Sequence, residues 1–213
     1  MNRLLLSLAI FCSLLSRSFW AETAEKIQTL PLGAAAPDFN LPGVDGRNYS
    51  LKDFAKAKVL VVAFICNHCP TAQAYEERLK KLVVDYQSKG VVLVAISPND
   101  PKSVRLDELG YTDLSDSFEE MKIRATYKKY NFQYLYDGEQ SKVSKVYGPT
   151  ATPHVFIFDA ERRLRYLGRI DDSEREGLVK VHDARNALDA LLGGREMTVG
   201  KNQHIRMLHQ VAG

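Results

Sequence analysis

The chain predicts an α/β domain built on a mixed β-sheet, and three observations carry that expectation. Two apolar runs rich in β-branched residues, Val59-Leu60-Val61-Val62-Ala63-Phe64-Ile65 and Val91-Val92-Leu93-Val94-Ala95-Ile96, read as strands covered on both faces. Between them Ala72, Tyr75, Leu79, Leu82, Val83 and Tyr86 recur at helical spacing, from about Asn67 to Lys89, with Gly90 as the stop. Strand, helix and strand in this order form a βαβ unit, so the two strands run parallel with a right-handed crossover.

The remaining elements follow along the chain. Asn2 and Arg3, then an unbroken apolar and small stretch from Leu4 to Leu15, then a polar segment from Ser16, have the layout of a secretory signal peptide. We expect residues 1–21 to be that signal, its core of about 12 residues being short of the ~20 a spanning helix needs. The segment Ala36 to Pro42, the turn signal Asp45-Gly46 and Tyr49-Ser50-Leu51 predict a small N-terminal hairpin. After the second buried strand, Ser97 to Ser115 reads as loop, and Ser117 with Glu120 opens a helix toward Tyr130 with a capping-box pattern. A short strand over Gln133 to Tyr136, a helix from Glu139 to Tyr147, a hairpin of His154 to Asp159 with Leu164 to Arg169, and a helix from His182 to Leu192 complete the layout.

At 213 residues the chain has the size of one domain, and no internal repeat or Gly/Ser linker divides it. The formal charge is +3, and removing residues 1–21 takes away Arg3 and Arg17 with no acid, leaving a nearly neutral protein with no electrostatic case for nucleic acid. The same cut removes Cys12, so Cys66 and Cys69 are the only cysteines of the expected mature chain. Two cysteines three apart cannot staple distant parts of a fold, which points to chemistry.

Cys66-Asn67-His68-Cys69-Pro70 stands where a buried strand hands over to a helix. A thiolate is the nucleophile of disulfide exchange, and a helix N-terminus favours negative charge. Cys66 is expected to receive that effect as the nucleophile, with Cys69 on the same helical face as the resolving thiol. Asn67 and His68 would tune the thiolate, and Pro70 fits a first turn whose N–H groups lack intrahelical partners. A structural zinc site needs four ligands, and no second CxxC exists; His154, His182, His204 and His209 are single and scattered. No metal and no cofactor are expected. The strand before the motif holds no acid that could accept a proton from Cys69, and Glu76 and Glu77 read as a solvated helix face.

Thr152-Pro153 precedes the apolar run Val155 to Phe158. Strand, CxxC at the head of a helix, βαβ, then Thr-Pro opening a hairpin followed by a helix resembles the thioredoxin fold. The stretches Ala36-Pro37-Asp38-Phe39, Cys66 to Pro70, Ser97-Pro98-Asn99-Asp100, Tyr134 to Asp137, Tyr147-Gly148, Thr152-Pro153 and Gly168 to Ser173 resemble its redoxin branch, which includes peroxiredoxin-like and exported thioredoxin-like proteins with an AhpC/TSA-type domain. The resemblance covers residues 34–193 and leaves 194–213 as a tail. It implies a mixed sheet flanked by helices, a cis Thr152–Pro153 bond, and Thr152 and Pro153 as the residues that hold a substrate chain. It also implies an exported, periplasmic or secreted, thiol–disulfide oxidoreductase acting on disulfide-bearing or dithiol proteins and reset by a redox partner. Relatives often carry a further cysteine where Ala151 stands and another in the tail; here the CxxC is the sole thiol device.

Two alternatives use the same cysteines. A peroxiredoxin-like peroxidase would want Pro-x-x-x-Thr-x-x-Cys, but Val59 and Ala63 stand seven and three residues before Cys66, and Val62 and Cys66 before Cys69. A copper or other metal carrier would pair soft thiolates with a histidine, for which His154 is the best candidate and His204, Met207 and His209 are tail candidates.

Overall fold

The computed structural model describes residues 28–103 and 115–195. The expected signal peptide with Cys12, most of the tail with His204, Met207 and His209, and residues 104–114 of the long loop lie outside the described residues.

Seven strands and four helices are described: β1 (Asn40–Pro42), β2 (Asn48–Ser50), β3 (Val59–Phe64), α1 (Pro70–Tyr86), β4 (Val91–Ser97), α2 (Phe118–Tyr127), β5 (Gln133–Tyr136), α3 (Lys142–Tyr147), β6 (His154–Phe158), β7 (Leu164–Gly168) and α4 (Asp183–Leu192). The central sheet has the order β5-β4-β3-β6-β7. Strands β3, β4 and β5 run parallel, and β6 and β7 are antiparallel to their neighbours. This is the thioredoxin fold, with the β1–β2 hairpin as an N-terminal extension.

The period-2 geometry of β3 sorts its residues onto two cores. Val59, Val61 and Ala63 join Ala72, Tyr75, Leu79 and Leu82 of α1, Met121 and Ala125 of α2, and Ala184 and Leu188 of α4. Leu60, Val62 and Phe64 face the opposite layer, formed by Tyr147 of α3 with Phe39, Leu41, Tyr49 and Phe54 of the N-terminal segment. Both sheet edges are covered: Val44 N–H donates to the Tyr134 carbonyl at 3.0 Å on the β5 side, and Gly33 and Ala34 exchange bonds with Leu164 on the β7 side at 2.8 and 2.9 Å.

The expected elements appear with shifted ends. Helix α1 starts at Pro70, with Cys69 in an extended conformation as its N-cap, and gives way to a 3-10 turn over Gln87–Lys89 before left-handed Gly90. Asn67 and His68 form a bend ahead of the helix and lie outside its first turn. Helix α2 ends at Tyr127, followed by Lys129 at φ 51°. Helix α3 is shorter than its pattern because Asp137 caps it, accepting from Val143 N at 3.0 Å and Ser144 N at 2.6 Å. Gly148 ends α3 at φ 65°, and a Cβ there would run into the Gln28 carbonyl, so glycine is required for conformation and for space.

Candidate active site

The carboxyl end of β3 delivers Cys66 beside the start of β6, because Phe64 pairs with His154 across the two antiparallel strands. The Thr152–Pro153 bond just before β6 is cis, as the resemblance implied. Thr152 meets both sulfurs: Cys66 Sγ lies 3.2 Å from Thr152 Oγ1, and Cys69 S–H donates to the Thr152 carbonyl at 3.5 Å. Both cysteines are in the thiol form, and Cys66 is 3% exposed where Cys69 is 0%.

The turn between the cysteines is held from outside the motif. Asp116, fully buried just ahead of α2, accepts from Asn67 N at 2.7 Å and His68 N at 3.3 Å with one oxygen. Its other oxygen meets His68 Nδ1 at 2.6 Å and Asn99 Nδ2 at 2.7 Å. Asn67 gives its side-chain N–H to the Ser115 carbonyl at 2.8 Å and accepts from Tyr134 O–H at 3.3 Å. The two residues expected to tune the thiolate are thus buried and tied to a carboxylate about fifty positions away in sequence. Asp116 escaped sequence reading because it sits in an irregular segment with no periodicity to mark it as internal. Its one signal is its place beside Ser117, the N-cap of α2.

The electrostatics differ from the expectation for a thiol on a helix terminus. Burial pushes the Cys66 thiol well above its ordinary value, with the Cys69 hydrogen bond and the charge of Asp116 adding to the shift and the Thr152 hydroxyl opposing it. The helix terminus does little to offset this burial, since α1 begins four residues after Cys66, beyond the first turn in which terminal N–H groups act strongly.

The acids on α1 also separate. Glu77 is exposed, but Glu76 is buried, accepting from Arg124 Nε and Tyr130 O–H at 2.6 Å each, which corrects the solvated-face expectation for Glu76. The signal was present: Glu76 is four residues from Ala72 and three from Leu79, on the apolar stripe. Arg78 on the same helix reaches the Asp171 carboxylate at 2.7 Å, the Ser173 carbonyl at 2.7 Å and the Glu174 carbonyl, stacking over the Tyr75 ring. Thr71 O–H donates to Glu174 at 2.8 Å, so the segment after β7 is pinned along the first turns of α1.

Cys66, His68 and Asp116 bring one donor atom each within 4.8 Å of one another, a spacing that a metal ion accepts. The carboxylate, however, already takes two donors on each oxygen, which fills its acceptor positions. His154, the histidine weighed as a copper ligand, is buried at the start of β6 with Nδ1 accepting from Thr150 N at 3.2 Å. His182 is the exposed N-cap of α4. Among the described residues, no helix is long and apolar enough to cross a membrane.

The AhpC/TSA family profile matches residues 32–167. A Helicobacter pylori protein named "Putative peroxiredoxin bcp" is 30% identical over 117 residues, which are 53% of this chain and 76% of that protein. The thiol-disulfide oxidoreductase ResA of Bacillus thuringiensis is 22% identical over 167 residues, 76% of this chain and 86% of that one. Among solved structures, an uncharacterized conserved protein from Geobacillus kaustophilus is 39% identical with a TM-score of 0.72, covering 83% of this chain and 90% of that one. The family profile, matched over more than half of the chain, shows that this chain belongs to the AhpC/TSA family, and with the sheet order it makes the protein an oxidoreductase of the thioredoxin fold.

Proposed function

We propose that the protein is an exported thiol–disulfide oxidoreductase whose Cys66 attacks and whose Cys69 resolves. The observation that carries this reading is the shared contact with Thr152: one residue lies against both sulfurs, through its hydroxyl and its carbonyl, at the mouth of β6. In the reductive direction the Cys66 thiolate attacks a substrate disulfide, forming a mixed disulfide and expelling one substrate thiolate, which takes a proton from solvent. Cys69, deprotonated in turn, attacks the Cys66 sulfur, releases the second substrate thiolate and closes the Cys66–Cys69 disulfide. Two electrons pass to the substrate, and a redox partner returns them. Cys66 takes the attacking role because the residue retains slight exposure where Cys69 has none. Thr152 and Pro153 would line the extended substrate segment.

Export is supported by the amino-terminal pattern over residues 1–21, and substrates with disulfides or dithiols by the chemistry of the pair. The domain proper is proposed to span 34–193, with 194–213 as its tail.

The test is the reduction potential of the pair in purified protein, by equilibration against glutathione with thiol trapping. A reversible value between about −120 and −270 mV supports the proposal, and its place in that range says whether the protein oxidises or reduces its partners. A pair that stays oxidised below about −300 mV would be a structural bridge and would end it. So would full activity of Cys66→Ser on a protein disulfide, or peroxide consumption at unchanged rate in Cys69→Ser with no disulfide turnover in the wild type.

A further inference from the structure

Asp116 belongs neither to the cysteine motif nor to the cis-proline loop, yet it makes more contacts to the motif than any other acid among the described residues. Each of its oxygens accepts twice: one from the N–H groups of Asn67 and His68, the other from His68 Nδ1 and Asn99 Nδ2. The residues between the two cysteines therefore have both their amide protons on a single carboxylate. The turn cannot rearrange without leaving a buried group unpaired. An Asp116 oxygen also lies within 4.8 Å of Cys66 Sγ, and no solvent reaches the side chain to screen it.

We propose that Asp116 is a positioning residue for Cys66, locking the Asn67–His68 turn that keeps the two sulfurs together and setting a negative charge against the Cys66 thiolate. The inference rests on Cys66 being the attacking thiol. The titratable groups around this sulfur are Cys69 and His68 in the motif, Asp116 ahead of α2 and Tyr134 on β5; the direction of the Cys66 shift accords with the geometry. A thiol held protonated is slow toward small oxidants, which gain nothing from docking, so the arrangement favours disulfide-bearing chains that dock against the Thr152–Pro153 loop.

The experiment is iodoacetamide alkylation of the reduced full-length protein from about pH 7 to about pH 11, a range carried well above the ordinary thiol value because burial raises Cys66. Cys66 modification is read by mass spectrometry for the wild type, Asp116→Asn and Asn99→Ala. Asp116→Asn removes the charge and is expected to move the midpoint of the profile down by at least one pH unit. The neutral-pH rate then rises about threefold, because lower nucleophilicity offsets part of a tenfold gain in thiolate. Asn99→Ala strips one donor from the carboxylate and leaves its charge less compensated, so its profile moves the opposite way and its rate falls. A merely structural Asp116 would loosen the turn in both variants and raise both rates with no movement of the midpoint, and that result overturns the proposal. An Asp116→Asn midpoint that stays in place or moves up overturns it too. If Asp116→Asn lacks a native near-ultraviolet circular dichroism spectrum, Asn99→Ala decides alone, a slower rate supporting and a faster or equal one refuting. Because alkylation reads the thiol without any disulfide partner, failure here leaves the exchange assay of the proposed function untouched, and failure there leaves this result standing.

Discussion

Replacing Thr152 by Val isolates the hydroxyl at the centre of the site. Valine keeps the branched shape in a position only 5% exposed, and the Thr152 carbonyl remains to receive the Cys69 S–H, so the pocket is preserved. What disappears is the Oγ1 contact 3.2 Å from Cys66 Sγ, which favours the thiolate against burial, Cys69 and Asp116. A hydrogen bond to a charged acceptor contributes about 1.5–3 kcal/mol. Sulfur is a weak acceptor and the protonated thiol also loses a partner, so we take a value below that range, about 1 kcal/mol between the two protonation states. At 1.4 kcal/mol per factor of ten this lowers the thiolate population about fivefold, and the greater basicity of the remaining thiolate returns part of it. The expected result is a two- to threefold slower single-turnover reaction of reduced protein with oxidised glutathione at neutral pH, from about 1 kcal/mol of lost bonding, with the pH–rate midpoint moved upward. Thr152→Ser should restore both. A Thr152→Val rate equal to or faster than wild type, in protein with an unchanged melting temperature, would show that the hydroxyl does not act on the thiolate.

Other consequences follow from the buried polar groups. Glu76→Gln leaves Arg124 buried without its counter-charge, an uncompensated burial that costs about 3 kcal/mol, and thermal unfolding should fall by about 6–12 °C. Gly148→Ala forces a side chain into a left-handed conformation and against the Gln28 carbonyl, so it should destabilise by more than about 1 kcal/mol, read as a lower urea midpoint at constant slope. Arg78→Met removes the anchor of Asp171, Ser173 and Glu174, and amide hydrogen exchange should quicken over residues 171–175 while the β3 and β4 amides keep their protection. Alkaline titration should unfold the protein cooperatively. Burial, with help from Asp189, pushes Tyr86 up to about 12, and burial pushes Tyr75, Tyr130, Tyr134 and Tyr147 up from the ordinary value of 10.0. A raised tyrosine holds its full contribution below the unfolded value and loses it as pH climbs toward the folded one. The phenolate absorbance of these buried tyrosines should therefore rise together with the loss of helix signal; their stepwise titration in a still-folded protein would contradict the burial.

The strands and helices were legible because their signals are local. Val59 to Ile65 and Val91 to Ile96 carry apolar residues on both faces, and a strand with that composition has to lie between two layers. Asp45-Gly46 announces the β1–β2 turn, where Gly46 sits at φ 82°. The helix starts were less legible, since a proline pattern does not separate a first-turn residue from the N-cap. Cys69 rather than Asn67 marks the boundary in α1, and that shift removes the helix terminus from Cys66.

Chain order alone placed the candidate cysteine pair at the end of a central strand, because a CxxC following such a run lies at the strand's carboxyl edge wherever the sheet forms. Chemistry of this kind needs two sulfurs three residues apart, and adjacency in sequence secures that. The tertiary structure decided the environment of those sulfurs. Asp116 reaches the motif across 48 and 49 positions, Thr152 across 83 and 86, and Arg124 reaches Glu76 across 48. Such pairings depend on how the loop ahead of α2 and the turn before β6 fold back over the sheet, and no local periodicity encodes them. Whether a thiol is made easy or hard to ionise is set by burial and by the charges that converge on it from distant segments, so the reactivity of Cys66 belongs to the folded protein and its identity as a candidate nucleophile to the sequence.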